Sequence, residues 1–506
     1  PSSKTTPTLP FTDRDLLRPL ALKRRSFSAE SNLFMKNSDG VKSPLTSDKK
    51  VLLQDYSDEE NFGISSSDSV GKGPSRKTAG SSWSYFILTA YMCGWSALWS
   101  CLLVIVVPSQ IEAMVGEKQK GTSLGIVVAI GGFNSVIVPP LAGYLSDRTV
   151  TRWGRRRPYM VGGALGVFVI MLILPACKSV AMFSFFWFLL QTASNFGSSA
   201  FLGLLPDTVP EDDLGNASGI MSVSAAVGQM LGAGAGYLRP SIGLFGVYFL
   251  LAVLHVIFML VTVLWAKETP GLQYASAPNG PEGGDGHDAP GRKTAAVSEF
   301  FADILRPFKS HDFRWVYITR LLVQMGIYSV QEFMNYFVGD IIVPGNRKAT
   351  QTTTSVLLAV IVVAGGLSGF VCGKLSDRFG GKRKRFVYVA GGLMSLATFS
   401  LIYALSFGIV VMSAFLFGMG FGSFMAVDMA MVVEALPSPE KAAQDMGVWH
   451  TALVVPQMIA TPIAGVILDR VKKDIGVHAG YTAVFTLAVI YFSLGTLFVM
   501  KLKNIK

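Results

Sequence analysis

The sequence predicts an all-α membrane protein: twelve transmembrane helices in two bundles of six, with both termini in the cytosol. Three observations carry that expectation. Of 506 residues only 15% are charged while 50% are apolar, and mean hydropathy is positive, a balance that belongs to a membrane-embedded chain. From Tyr85 onward, apolar stretches of about 20 residues recur, each enough for a helix rising about 1.5 Å per residue to cross about 30 Å of hydrocarbon. The third observation is a loop motif that occurs twice, at the same place in each half of the chain.

Residues 1–84 are rich in Ser, Lys, Asp and Gly without helical or strand periodicity, so they bury too little apolar surface to offset chain ordering and read as a disordered cytosolic tail. The tail holds a basic run, Lys23 to Arg25, ahead of Ser26 and Ser28, in the form of a kinase site. Asp13 to Leu17 has the form of an acidic dileucine sorting signal. The predicted spans 85–107, 122–145, 158–176, 181–205, 217–237 and 243–266 make an N-terminal bundle over 85–266. A polar, glycine-rich stretch, 267–312, reads as a cytosolic linker. The spans 313–338, 352–373, 385–404, 407–432, 444–467 and 479–500 make a C-terminal bundle over 313–506.

Charge sets the orientation. The net charge of +11 comes from basic residues concentrated in the tail and in alternate loops, which places those loops in the cytosol. The same residues suit anionic lipid, so the expected partners include the bilayer and exclude nucleic acid. Cys93, Cys101, Cys177 and Cys372 lie in or beside apolar runs without metal-ligand spacing. No disulfide framework, metal or cofactor is expected from them. A nucleophile elbow, an HExxH helix, a phosphate loop and paired catalytic carboxylates in a soluble segment are all missing from the sequence, so it reads as a carrier and not an enzyme.

The repeated motif follows the second and eighth predicted spans. Gly143-Tyr144-Leu145-Ser146-Asp147-Arg148 leads to Arg152, Gly154 and Arg155-Arg156-Arg157-Pro158; Gly373-Lys374-Leu375-Ser376-Asp377-Arg378 leads to Gly380-Gly381-Lys382-Arg383-Lys384-Arg385. Those spans are equivalent under a six-plus-six repeat, which marks duplicated bundles. The glycine allows close helix approach, the aspartate suits a neighbouring helix N-terminus, and the arginines suit headgroups. Asp147, Arg148, Arg155, Asp377 and Arg378 are therefore the candidate cytosolic gate. The motif resembles that of the major facilitator superfamily. Three segments, GYLSDRTVTRWGRRRPYM, LPDTVPEDDLGNASG at 205–219 and AVDMAMVVEALP at 426–437, are similar to the sucrose-transporter branch and related glycoside–cation symporters. That resemblance implies proton-coupled movement of a sugar or glycoside by alternating access. It departs in the fourth span, where Ser199 and Leu204 stand at the branch's Arg and Asp positions, with Asp207 three residues on; this points away from sucrose itself.

An ionisable group inside a span costs several kcal/mol unless a partner or water faces it, so each is a site candidate. In the seventh span Arg320, Gln324, Gln331 and Asn335 recur at helical spacing on one face, with Glu332 beside it. Arg320 and Asp428, in the tenth span, fall at similar depth and are expected to pair. Asp428, Arg320 and Glu332 are the proton-coupling candidates. Asn134, Gln191, Asn195, Gln229, Gln324, Gln331, Asn335, His450 and Gln457 supply the uncharged hydrogen-bonding groups that a hydroxyl-rich ligand needs. Trp95, Trp99, Tyr328, Tyr336 and Trp449 are rings able to stack on a sugar face. His255 reads as a satisfied bundle histidine. Gly219, Gly228, Gly232 and Gly236 in the fifth span are spaced as in the superfamily's antiporter motif, but Ala233 stands where that motif has proline, so direction stays open. Pro139, Pro140, Pro456 and Pro462 are bending points. The alternatives are an exporter or antiporter of another small organic solute, or a non-transporting sensor. A monomer in the plasma membrane, or in an endomembrane such as the vacuole, is expected.

Overall fold

The computed structural model describes residues 81–149, 151–210, 213–266, 305–378, 383–404, 406–437, 442–503 and 505. The kinase and dileucine patterns, and nearly all of the expected tail and linker, lie outside these residues. Among them the chain is helical throughout and contains no strand. After a short helix Ser82–Leu88 come α1 (Tyr91–Val115), α2 (Lys120–Asp147), α3 (Arg157–Ile173) and α4 (Val180–Thr208). A continuous segment Leu214–Trp265 breaks at Gly243 into α5 (214–242) and α6 (244–265). The second half holds α7 (His311–Gln331), α8 (Arg347–Arg378), α9 (Arg383–Ile402), α10 (Phe407–Ala435), α11 (Ala442–Asp474) and α12 (Val477–Phe498).

Nine helices among the described residues are long and apolar enough to cross a bilayer. One of them, Asn216–Trp265, has 50 residues; at about 1.5 Å each that is about 75 Å, over twice the hydrocarbon thickness. Its break at Gly243, φ +75°, is a conformation that glycine adopts without Cβ strain. A loop was expected over 238–242, but the helix runs through it because Arg239 is drawn inward. This guanidinium is buried, and its Nη1 donates to Ile105 O at 3.3 Å and to Ser109 Oγ. Helices α4 and α7 fall outside the nine. They carry Gln191 and Asn195, and Arg320 and Gln324, so the polar groups that make them site candidates also lower their hydropathy.

Packing inside each half rests on close helix approach. Gly228 and Gly232 of α5 lie against the α1 backbone at Cys93 and Ala97, so two glycines of the antiporter-like pattern serve as packing surface. In the second half, α8 and α10 meet where Gly422 lies on the backbone of Gly365, and Ser368 Oγ donates to Met419 O at 2.8 Å. Between the halves, α2 packs on α11 and α5 on α8. The α2–α11 seam runs through Gly121 against Gly465, Gly125 against Pro462 and Gly132 against Met458. Further along that face, Val136 and Pro140 on α2, and Gly447 on α11, are exposed. The halves therefore touch toward one end and part toward the other, which carries the loop after α2 and the end of α12.

The α8–α10 crossing yields a test. Gly422→Leu puts a branched side chain against a backbone that cannot yield, and should cost about 3 kcal/mol by overpacking, read as a lower thermal midpoint in detergent. Gly392→Leu, at a position with no atom within 4 Å of the added Cβ, should leave that midpoint unchanged.

Candidate functional site

The second half buries a charged pair at its centre. Arg320, a little over two turns into α7, is 5% exposed and Asp428, on α10, 0%. Arg320 Nη1 donates to Asp428 Oδ2, and the guanidinium lies 3.7 Å from the ring centroid of Trp449 on α11. Three helices thus converge on one cation. The expected pairing is present, and the stacking on Trp449 adds what spacing did not predict. Several polar atoms here have no partner: Asp428 Oδ1, Arg320 Nε, Gln324 Nε2 and Trp449 Nε1 are buried without hydrogen bonds. Buried polar atoms are normally satisfied, so such a cluster suits a ligand or proton.

The remaining α7 candidates do not share one face. The helix ends at Gln331, and a turn at Glu332 and Phe333 resets the register before Met334–Phe337 and a π turn, Val338–Ile342. Gln331 borders a void of about 10 Å³ beside Val104 of α1 and Thr354 of α8. Asn335 Nδ2 donates to Thr354 Oγ1 at 3.4 Å. Glu332 turns instead to α11, where its Oε1 accepts from Gln457 Nε2 at 3.4 Å while Oε2 is buried and unpartnered. Twelve residues separate Glu332 from Arg320, about 18 Å of helical rise, so the two carboxylate candidates are separate sites. His450, on α11 next to Trp449, is exposed.

In the first half, α2 and α4 share a closed polar network. Asn134 Nδ2 donates to Thr192 Oγ1 at 2.6 Å and Phe188 O at 3.2 Å; Asn195 Nδ2 donates to Asn134 Oδ1 and Ser135 Oγ, both at 3.1 Å; Ser135 Oγ donates to Gln191 Oε1 at 3.4 Å. Asn134, Gln191 and Asn195 are thus brought together, but largely satisfy one another. Gln229 is half-buried on α5, and its carbonyl accepts from Ser100 Oγ at 3.5 Å. Next to the network, Trp95 and Trp99 of α1 and Trp187 of α4 meet edge to face, with centroids 6.3 and 5.6 Å apart. All three indole nitrogens are buried without partners. Trp187 was missed because, in a run of phenylalanines, it reads as packing. His255 is not the satisfied histidine expected: both ring nitrogens are buried without hydrogen bonds, beside Tyr91.

The contact end is sealed by charges that the sequence presented as loop residues. Lys120, 1% exposed, bridges Glu112 Oε1 and Asp340 Oδ1, each at 2.7 Å. Lys472 reaches Asp340 Oδ2 at 3.1 Å and Glu117 at 3.3 Å, and Tyr481 donates to Asp340 at 2.7 Å. Asp469 of α11 accepts from the Gly121 and Thr122 amides at 3.1 and 2.7 Å. It thereby caps the N-terminus of α2 from the other half, where orphan amides and the helix dipole favour a carboxylate. Glu112, Glu117 and Asp340 offer oxygens within 4.8 Å of one another, a set a cation could join; Lys120 and Lys472 fill that role. Tyr336, a candidate sugar-stacking ring, belongs here: its hydroxyl donates to Pro108 O at 2.8 Å beneath Lys120. Burial raises the Asp340 carboxyl, but Lys120, Tyr481 and Lys472 outweigh it, leaving it below its ordinary value of 3.8.

At the parted end each half is tied internally. Arg155 Nη2 and Arg156 Nε reach Asp207 at 2.5 and 3.0 Å, and Arg383 Nη2 reaches Glu434 at 2.9 Å. Asp207 and Glu434 are each the penultimate residue of a 29-residue helix, equivalent positions of the repeat. Arg148 lies over the Tyr144 ring at 4.1 Å and Arg378 is exposed. The side chains of Asp147 and Asp377 lie outside the described residues. Every hydrogen bond and ion pair between the halves found among the described residues lies at the opposite end.

Comparison with known proteins places this geometry. Residues 84–343 and 341–504 each match the model of the Major Facilitator Superfamily. The general alpha-glucoside permease of Schizosaccharomyces pombe is 27% identical over 197 residues, 35% of each chain. The sucrose transport protein SUC4 of Arabidopsis thaliana is 25% identical over 162 residues, 28% of this chain and 31% of that one. The multidrug resistance protein MdtG of Dickeya zeae is 25% identical over 262 residues, 51% and 57%. The chain thus spans about a third of the length of the first two relatives and just over half of the third. Among solved structures, the nucleoside transporter NupG superposes with a TM-score of 0.61 at 14% identity, over 84% of this chain and 99% of that one. A POT family transporter in complex with 5-aminolevulinic acid gives 0.62 at 13%, over 83% and 96%. At such identity the structures share the fold alone.

Two outcomes test the site's geometry. Asp428→Asn should destabilise the protein by about 3–5 kcal/mol because it strands a buried guanidinium. The double variant Arg320→Gln with Asp428→Asn should recover much of that loss, as thermal unfolding of the two singles and the double will report. At the sealed end, a depressed carboxyl contributes fully above its ordinary value, and that contribution is lost only as pH falls through the lower folded value. Spin labels on the sealed ends of α2 and α11 should therefore keep one distance from neutral pH down to about pH 4, whereas Asp340→Asn should lengthen it at neutral pH.

Proposed function

The chain belongs to the Major Facilitator Superfamily, and we propose that it is a proton-coupled symporter that moves a sugar or glycoside by alternating access. It is a multi-pass membrane transporter; the substrate and the coupling are the proposal. The observation that carries it is the buried Arg320–Asp428 pair with unpartnered polar atoms around it. A proton, or a ligand hydroxyl, arriving at Asp428 competes with Arg320 for the carboxylate. The displaced guanidinium can then turn a free N–H to the ligand, while Gln324, Trp449 and His450 offer further polar contacts. Binding and protonation would thus be coupled through one shared anion. The resemblance of parts of the chain to an alpha-glucoside permease and a sucrose transport protein supports a hydroxyl-rich solute.

In this reading both termini are cytosolic, as the basic loops favour, there are twelve crossings, and 85–266 and 313–506 are the moving bundles. The sealed end is then the outer face and the cavity opens inward. Asp147, Arg148, Arg155, Asp377 and Arg378 would make the closing contacts on the cytosolic side when the outer seal opens. The second reading, an exporter of another organic solute, is favoured by the longer match to MdtG and by the cluster of three indoles in the first half.

Uptake of labelled sugars and glycosides into proteoliposomes, driven by an imposed inward proton gradient, distinguishes the readings. Accumulation above equilibration is expected for the native chain and should be lost in Asp428→Asn, with equilibrative exchange retained. If no sugar is taken up under any gradient while amphipathic cations are expelled, the symport reading fails.

A further inference from the structure

The outer surface of the first half carries a groove that transport leaves unused. It has a volume of about 250 Å³ and is lined by Pro158, Tyr159, Gly162 and Gly163 of α3 and by Ala193 and Phe196 of α4. Helix α3 packs on α4 and on the α5–α6 segment of its own half, so the groove faces away from the seam between halves and toward lipid. Its length covers the first two turns of α3, directly after the basic loop 148–157. The lining is apolar, with Tyr159 stacked parallel on Phe196 at 6.2 Å and its hydroxyl taken up by Thr149 at 2.7 Å.

The loop leading into α3, which touches the groove where Thr149 meets Tyr159, is basic. Arg155 and Arg156 are committed to Asp207, but Arg148 and Arg152 are exposed and have no carboxylate partner among the described residues. Arg148 is held in place by the ring of Tyr144. Trp153, 56% exposed in the same loop, has the size and polarity of a residue seated among headgroups. An apolar slot adjoining a loop that carries two unmatched cations and an exposed indole fits one chemistry. We propose that the α3–α4 groove holds an acyl chain of an anionic phospholipid whose phosphate pairs with Arg148 and Arg152. A zwitterionic headgroup brings its own cation and leaves the two guanidiniums uncompensated, so the site selects net negative lipid.

Glycine chemistry allows a clean test. A Cβ at Gly162 meets no atom within 4 Å, whereas one at Gly163 runs into the α4 backbone at Ala193 and Gly197. Gly162→Phe therefore fills the groove from an open position and should leave the thermal midpoint of the full chain unchanged. Native mass spectrometry of the full chain is made with equal amounts of phosphatidylglycerol and phosphatidylcholine of identical acyl chains. Retention of one phosphatidylglycerol in preference to phosphatidylcholine is expected. Occupancy should fall about fivefold for each arginine replaced, about thirtyfold in Arg148→Gln with Arg152→Gln, and should be lost in Gly162→Phe. Equal retention of both lipids, which would mean boundary lipid only, overturns the proposal. So does undiminished phosphatidylglycerol binding in a folded Gly162→Phe variant, or loss of binding to inorganic phosphate at concentrations matching the lipid, which would mean an anion site independent of the chain.

Discussion

Hydrocarbon offers no hydrogen-bond partner, so every backbone amide and every charge inside the bilayer has to be answered by the protein itself. Most features of this fold follow from that constraint. The described chain is helical because helices satisfy their own backbone. Its buried charges sit where another helix can meet them: Arg320 between Asp428 and Trp449, and Arg239 against carbonyl and hydroxyl groups of α1. Buried polar atoms that escape the rule occur around Arg320, at Glu332 and in the indole cluster, and also at Tyr91, His255, Thr398 and Thr461. Unanswered groups are costly in this solvent, and the gathering of four of them on Arg320, Gln324, Asp428 and Trp449 distinguishes the candidate site from the paired network of Asn134, Asn195 and Ser135.

The seam between the halves uses two devices of different strength. Glycines at 121, 125 and 465 let α2 and α11 come together backbone to backbone, which is dispersion spread over a small area. Around them, Asp469 caps α2 and Asp340 gathers two lysines and a tyrosine. Each contact at this edge is modest, and water can replace every polar partner once the seam opens. By contrast, the ties within each half, Arg155 and Arg156 to Asp207 and Arg383 to Glu434, join neighbouring elements of one bundle. A division between replaceable contacts across the seam and permanent contacts within a bundle is what rocking of two rigid bodies requires.

The Arg320–Asp428 pair was legible in the sequence because depth along a spanning helix can be counted from its ends, and two opposite charges at one depth have few other partners. The polar residues of α2 and α4 were legible as a group through their spacing, but not as a network already satisfied, since only packing shows which donors are used. Lys120, Asp340, Asp469 and Lys472 were not legible as a seal. Each lies near a helix end, where a charge is normally solvated, and nothing local says that an element more than 200 residues away covers it. Tyr336 changed role for the same reason, and the turn at Glu332 divided a face that uniform helical spacing would have kept whole.

What the sequence determined by itself is the class of solvent and the repeat. Hydropathy over about 20-residue windows reports transfer into hydrocarbon, a property of composition, and the duplicated loop motif reports the doubling of one bundle. Tertiary structure alone decided which buried groups meet, which are left unpartnered, and at which end the halves close. Those are outcomes of packing between helices distant in the chain, and the energies that choose among them are differences between alternative partners. No single residue carries that information.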